Sequence, residues 1–234
     1  MGRRTYCVAD PGCAMLCSTT FEESSMDFFP GPPDPPDRDE SPEQPQPVWM
    51  SAPEDVLPGV VPVELVLARS TNTVIMLTGM RAFPTGLQMN LAVRVRGKAA
   101  RRALHSEVFD GPYHRDVDAH WQARRLKWGF ELSDGRRVTN VDPWPQQPNQ
   151  DRSRPHHPDD WLWEPDHPVL MGGGGGGGSR SIDRDYWLWP LPPAGPLRVL
   201  CQWLDQDIDI HIQDLDATVF LDAAGRAQPA WPSA

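Results

Sequence analysis

The chain has 234 residues, 39% of them hydrophobic, and its 27 prolines are more than twice the roughly 5% of ordinary usage. That composition can bury one core, but not along the whole length. The net charge of −10 is unevenly placed: residues 1–59 hold eleven acids against Arg3, Arg4 and Arg38, a net of −8, which leaves the remainder at −2. A nearly neutral body excludes nucleic-acid binding through bulk charge, and no apolar run approaches the 18 residues of a membrane-spanning helix.

Residues 1–25 read as a disordered extension. Their cysteines, Cys7, Cys13 and Cys17, have no histidine nearby and lack the close pairs of a structural zinc site. Arg3 and Arg4 precede no continuous apolar region, because Asp10, Pro11 and Gly12 interrupt it, so no signal peptide is expected. Residues 26–59 form an acidic, proline-rich linker with too little apolar surface to fold alone, and Pro32-Pro33 and Pro35-Pro36 favour polyproline II. Phe28, Phe29 and Trp49 are the exceptions, and one of them can dock on the domain. The expectation is that deleting residues 1–49 moves the melting midpoint by no more than about 3 °C.

The domain is expected to span residues 60–234. Alternation at Val61, Val63, Leu65 and Leu67 gives a first strand and Thr73–Thr78 a second, followed by a tight turn at Phe83-Pro84-Thr85-Gly86. Leu87, Met89, Leu91, Val93 and Val95 then point one way and Gln88, Asn90, Arg94 and Arg96 the other, the cleanest strand in the chain. Residues 97–125 are polar, with short helix-like stretches over Ala99–Phe109 and Asp116–Arg125. Leu126, Trp128, Phe130 and Leu132 alternate up to Asp134-Gly135, a strong hairpin signal. Residues 142–166 return to loop composition, Val169–Met171 can form a short strand, and Gly172–Gly178 reads as a flexible loop between strands.

Asp185–Trp203 is the stretch around which the rest is organised: aromatic Tyr186–Trp189, a reversal rich in proline, then Leu197, Val199, Cys201 and Trp203 on one face. It reads as a stiffened hairpin. Ile208, Ile210 and Ile212 make one face of a last strand, with Asp207, Asp209 and His211 opposite. Asp216–Ala224 can cap and form a short helix ended by Gly225. Short strands with turns every 8–12 residues define an all-β fold, an antiparallel β-sandwich of immunoglobulin-like outline with minor helix; a small open barrel is the alternative.

No motif carries chemistry outright. The glycine run lacks the lysine and following helix of a phosphate loop. His156, His157, Asp159, Asp160, Asp166 and His167 form the densest set of candidate metal ligands, but prolines hold the segment extended and no rigid element presents it. Asp205, Asp207 and Asp209 lack the glycine and glutamate of a calcium loop. Cys201 reads as a buried structural thiol; a lone core cysteine points to a reducing compartment and a cytoplasmic location.

The residues Glu54-Asp55-Val56-Leu57-Pro58 leading into VVPVELVLARS, Asp142-Pro143-Trp144-Pro145, and a glycine run ahead of YWLWPLPPAGPL resemble those of a family of uncharacterised actinobacterial proteins. The resemblance covers most of residues 54–232 and implies a native start near Met26. It brings no activity, and the polar DQDIDIH stretch departs from the Gly-Ile pair expected there.

The functional expectation is a non-enzymatic interaction or binding module using loops 97–125 and 142–180. Trp161 and Trp163 would be aromatic anchors and Arg101, Arg102, Arg124 and Arg125 a charged rim, with a protein partner, no nucleic acid, no membrane and no cofactor. The alternative is a metal-dependent hydrolase using the His156–His167 loop.

Overall fold

The structure, a computed structural model, describes residues 46–97, 104, 108, 123–146 and 163–231. The extension over residues 1–25 and the linker up to residue 45 lie outside the described residues.

Alternation in the sequence becomes two antiparallel sheets. In the larger one, β2 (Gly59–Val60) and β3 (Leu65–Arg69) share one edge of β4 (Thr73–Phe83). The order then runs through β5 (Gly86–Val95) and β9 (Ser181–Trp189) to β8 (Val169–Gly177) at the edge. The smaller sheet has the order β11 (Ile208–Asp216), β10 (Pro196–Trp203), β6 (Lys127–Glu131), β7 (Arg137–Thr139). A two-residue ladder of β1 (Val56–Leu57) with β12 (Gln228–Pro229) ties the two ends of the described body together.

One core lies between the sheets. Ile75, Leu77, Leu91, Val93, Ile182 and Leu188 face it from the larger sheet, and Trp128, Phe130, Val138, Leu197, Val199, Cys201 and Trp203 from the smaller. Helix α1 (Thr218–Ala224) plugs one end with Phe220 and Ala223, and its start is tied down by Asp216, whose carboxylate accepts from the Thr218 amide at 2.9 Å. Gly59 permits the helix to come this close, since a Cβ there would stand 1.8 Å from the Ala223 carbonyl oxygen. The fold is the all-β sandwich with minor helix that the alternation predicts.

Two predicted turns form as read. Pro84 and Thr85 close a two-residue connection between paired Phe83 and Gly86. Asp134-Gly135 closes the β6–β7 hairpin as a three-residue loop between Leu132 and Arg136, with Gly135 at φ 85 where a side chain is disfavoured.

Other expectations are corrected. Asp185–Trp203 is not a hairpin: β9 pairs with β5 and β8, whereas β10 pairs with β6 and β11, so the proline-rich segment is a corner between sheets. Leu191 N–H donates to Thr85 O at 3.0 Å and Ser133 Oγ to Ala194 O at 2.9 Å, which pins that corner at both sides. Gly172–Gly177 is not a loop but the outer part of β8, and the turn is left to Gly178–Ser181. The isoleucines of β11 do not share a face. A bulge between Cys201 and Trp203 reverses the alternation, so Ile208 is buried while Ile210 and Ile212 are 60% and 48% exposed.

Residues 46–59, assigned by sequence to the linker, carry β1, the first residue of β2 and a fully buried Trp49. Within 97–125, Leu104 and Val108 are helical and buried. No helix among the described residues is long and apolar enough to cross a membrane.

Candidate functional site

A tryptophan cluster covers the outer face of the larger sheet. Trp49 meets Trp144 edge-on at 6.0 Å between ring centroids and Trp163 at 5.8 Å, above Phe83, Val169, Met171 and Trp187. Its indole N–H donates to Trp163 O at 3.0 Å, and the Trp187 indole N–H donates to Val48 O at 3.0 Å. Trp144 and Trp163 lie on either side of residues 147–162, so both stems of that segment are fastened to the same buried ring.

Beside these stems, at the edge where β7 approaches β8, lies a cavity of about 70 Å³. The turn after β7 forms one wall. Asn140 takes the place of a strand residue there: its Oδ1 accepts from Trp128 N at 2.8 Å and its Nδ2 donates to Leu126 O at 3.2 Å. Asp142 closes the turn by accepting from the amide and the hydroxyl of Thr139, each at 2.7 Å. The start of β8 with His167 forms the other wall, and β9 contributes Arg184 and Tyr186.

Arg184 and Tyr186 project inward, because Leu91 is paired with Arg184 and Met89 with Tyr186. An arginine on an inner face needs room, and Gly172 provides it: a Cβ there would stand 2.2 Å from a terminal guanidinium nitrogen. Arg184 Nη1 donates to Val108 O at 2.9 Å, and the guanidinium carbon lies 5.1 Å from the Tyr186 ring centre. Trp128 packs edge-on against Tyr186 at 4.7 Å. Burial pushes the Tyr186 hydroxyl above its ordinary pKa, and the charges of Arg184 and Arg125 act the other way. Side-chain hydrogen bonding from the Trp128 indole and from Arg184 lowers it too.

The predicted site residues that the structure describes take different roles. Trp163 is in the cluster on Trp49. Arg124 is ion-paired with Asp205, and Arg125 is buried. His167 Nδ1 lies 2.8 Å from Asp166 Oδ1, a contact that holds the Asp166 carboxyl below its ordinary range. Arg101, Arg102, His156, His157, Asp159, Asp160 and Trp161 lie outside the described residues. Among the described residues, no three His, Cys, Asp or Glu side chains gather as a metal site would require. Burial pushes the Cys201 thiol up to about 12, which suits a structural residue.

Sequence reasoning missed Arg184. Its signal was the alternation Ile182, Arg184, Tyr186, Leu188, visible once the strand is extended back to Ser181. Comparison with protein-family models, with curated proteins and with solved structures finds no match to this chain.

Proposed function

We propose that this protein is a non-enzymatic binding module, with its recognition site at the β7–β8 edge of the sandwich and in residues 147–162, which connect Trp144 and Trp163 in sequence. The observation that carries this is the cavity lined by the inward Arg184 and Tyr186, beside Trp144 and Trp163, which bracket residues 147–162 in sequence and both pack on the buried Trp49. Rigid scaffolds with long connections are where binding sites concentrate. The lining favours recognition over chemistry: the polar groups of Asp142 and Asn140 are engaged in building the turn.

Hydrogen exchange on the full chain tests this reading, alone and with extract of cells that express it. Protection gained over residues 138–172, with the strands on the far side unchanged, is the expected result. Unaltered exchange there, with protection appearing elsewhere or nowhere, would overturn the assignment of the site.

A further inference from the structure

The end of the larger sheet away from the tryptophan cluster, where β3 turns into β4, carries a second concave surface. An open hollow of about 290 Å³ lies there, lined by three arginines and no carboxylate. Strand register explains the grouping. Thr73 and Ile75 point into the core, so Val74 between them faces outward, and its partners across the sheet are Arg69 on β3 and Arg94 on β5. Val74 thus lies between two arginines, and the turn over residues 70–72 together with Arg96 completes the lining.

The three arginines are not equivalent. Arg94 is engaged within the fold: its Nη1 donates to Val93 O at 2.9 Å and to Ile182 O at 3.1 Å, and its Nη2 pairs with Asp183 at 2.7 Å. Arg96 is anchored at one point, where its Nε donates to Thr71 O at 3.0 Å, and its two terminal nitrogens have no partner among the described residues. The exposed side chain of Arg69 has none there either. At the tip of the turn the amides of Thr71 and Asn72 donate to no described group. Asp205 and Asp207 flank the Gln206 that Thr73 bonds, but neither lines the hollow, and Asp205 is paired with Arg124. Guanidinium and amide N–H groups only donate, so an anion completes this set. A planar carboxylate has two oxygens, which a single guanidinium fork occupies. A phosphate group presents three and can bridge both free arginines and the turn. Val74 beside that position offers an apolar surface to whatever carries the phosphate.

We propose that the hollow at the β3–β4 turn binds a small phosphate monoester, with Arg69, Arg96 and the Thr71 and Asn72 amides holding the phosphate and Val74 under the organic part. This site is separate from the β7–β8 edge: Thr73 and Phe83, at opposite ends of β4, belong to the hollow and to the tryptophan cluster respectively. It stands or falls without regard to the role of that edge.

The test is a nitrogen-15 NMR titration of the full chain with phenyl phosphate, inorganic phosphate and acetate, each against chloride at equal ionic strength. Phenyl phosphate should produce saturable shifts of the Thr71 and Asn72 amides and of Arg96 Nε, with the resonances of β6 and β10 unmoved. Arg69→Gln and Arg96→Gln change exposed side chains, so each should melt within about 2 °C of wild type. Each should also raise the Kd for phenyl phosphate by about fivefold, the upper range for an exposed charged pair. The absence of saturable shifts at the turn, or an unchanged Kd in either variant, would overturn the proposal. Acetate binding as tightly as phenyl phosphate would overturn the choice of phosphate. Inorganic phosphate binding more tightly than phenyl phosphate would overturn the ester.

Discussion

Replacing Trp49 by alanine is the sharpest test of the boundary of the folded body. Trp49 is fully buried, two other indoles meet its ring, and its N–H holds the Trp163 carbonyl. Truncating a buried tryptophan costs about 3–5 kcal/mol, and here the substitution also leaves a carbonyl without its donor. For a domain of this size each kcal/mol is worth about 2–4 °C, so the midpoint should fall by about 6–20 °C. Deleting residues 1–49 should do the same, contrary to the expectation from composition alone. Deleting residues 1–45 spares Trp49 and the turn closed by Met50 N–H donating to Pro47 O at 2.9 Å, and should shift the midpoint by no more than about 3 °C. Differential scanning calorimetry on the three variants measures this. If Trp49→Ala melts within about 2 °C of wild type, the cluster does not hold the segment and the argument fails.

Leu91→Ala, at a fully buried position in the middle of the larger sheet, should cost about 2–5 kcal/mol in urea titration. Glu131 bridges Arg137 at 2.7 Å and Arg198 at 2.6 Å on the outer face; with both arginines half or more exposed, Glu131→Gln should cost no more than about 1 kcal/mol, less at high salt. The Cys201 thiol, at about 12 against an ordinary 9.0, stays neutral in the folded protein while the unfolded chain ionises. Its contribution is therefore complete below pH 9 and lost as pH rises toward 12, a slope that Cys201→Ala should reduce in pH-dependent denaturation. Gly174→Ala and Gly176→Ala meet no atom within 4 Å and should be neutral or slightly stabilising by melting, whereas Gly129→Ala would place its Cβ 2.1 Å from Val138 O and should fail that assay badly.

Alternation in sequence identifies a strand and its two faces, and for β5 and β6 that was sufficient: Leu91, Val93 and Phe130 are buried as read. Turn chemistry was equally legible at Pro84-Thr85 and Asp134-Gly135, because a turn is decided by its own residues. Pairing is not local. Nothing within Asp185–Trp203 says that its halves join different sheets; that depends on β5 and β8 claiming one half and β6 and β11 the other. Trp49 was legible only as one of three aromatic rings in the linker able to dock on the domain. A single large ring surrounded by prolines lowers no average, but it buries fully once Trp144, Trp163 and Trp187 supply a seat from distant parts of the chain. The candidate site was the least legible, since its arginine alternates with aspartates in a segment that reads as surface.

The glycine run shows how a low-information stretch acquires a function from its partner strand. Tyr186 is paired with Gly172 and Arg184 with Gly175, so β8 spends one more residue than β9 between these pairs. Such a bulge bends the strand and re-aims what lies opposite. Here it falls beside the two inward polar residues of β9, at the position where a Cβ would strike the guanidinium. A side chain at 172 would push aside the guanidinium end of Arg184, a flexible group that can give way, whereas at 177 a Cβ would stand 2.1 Å from the Ser181 backbone oxygen. Glycine at 177 is therefore a requirement of the turn. Between 172 and 177 the sterics are permissive, so the length of the run exceeds what this fold demands.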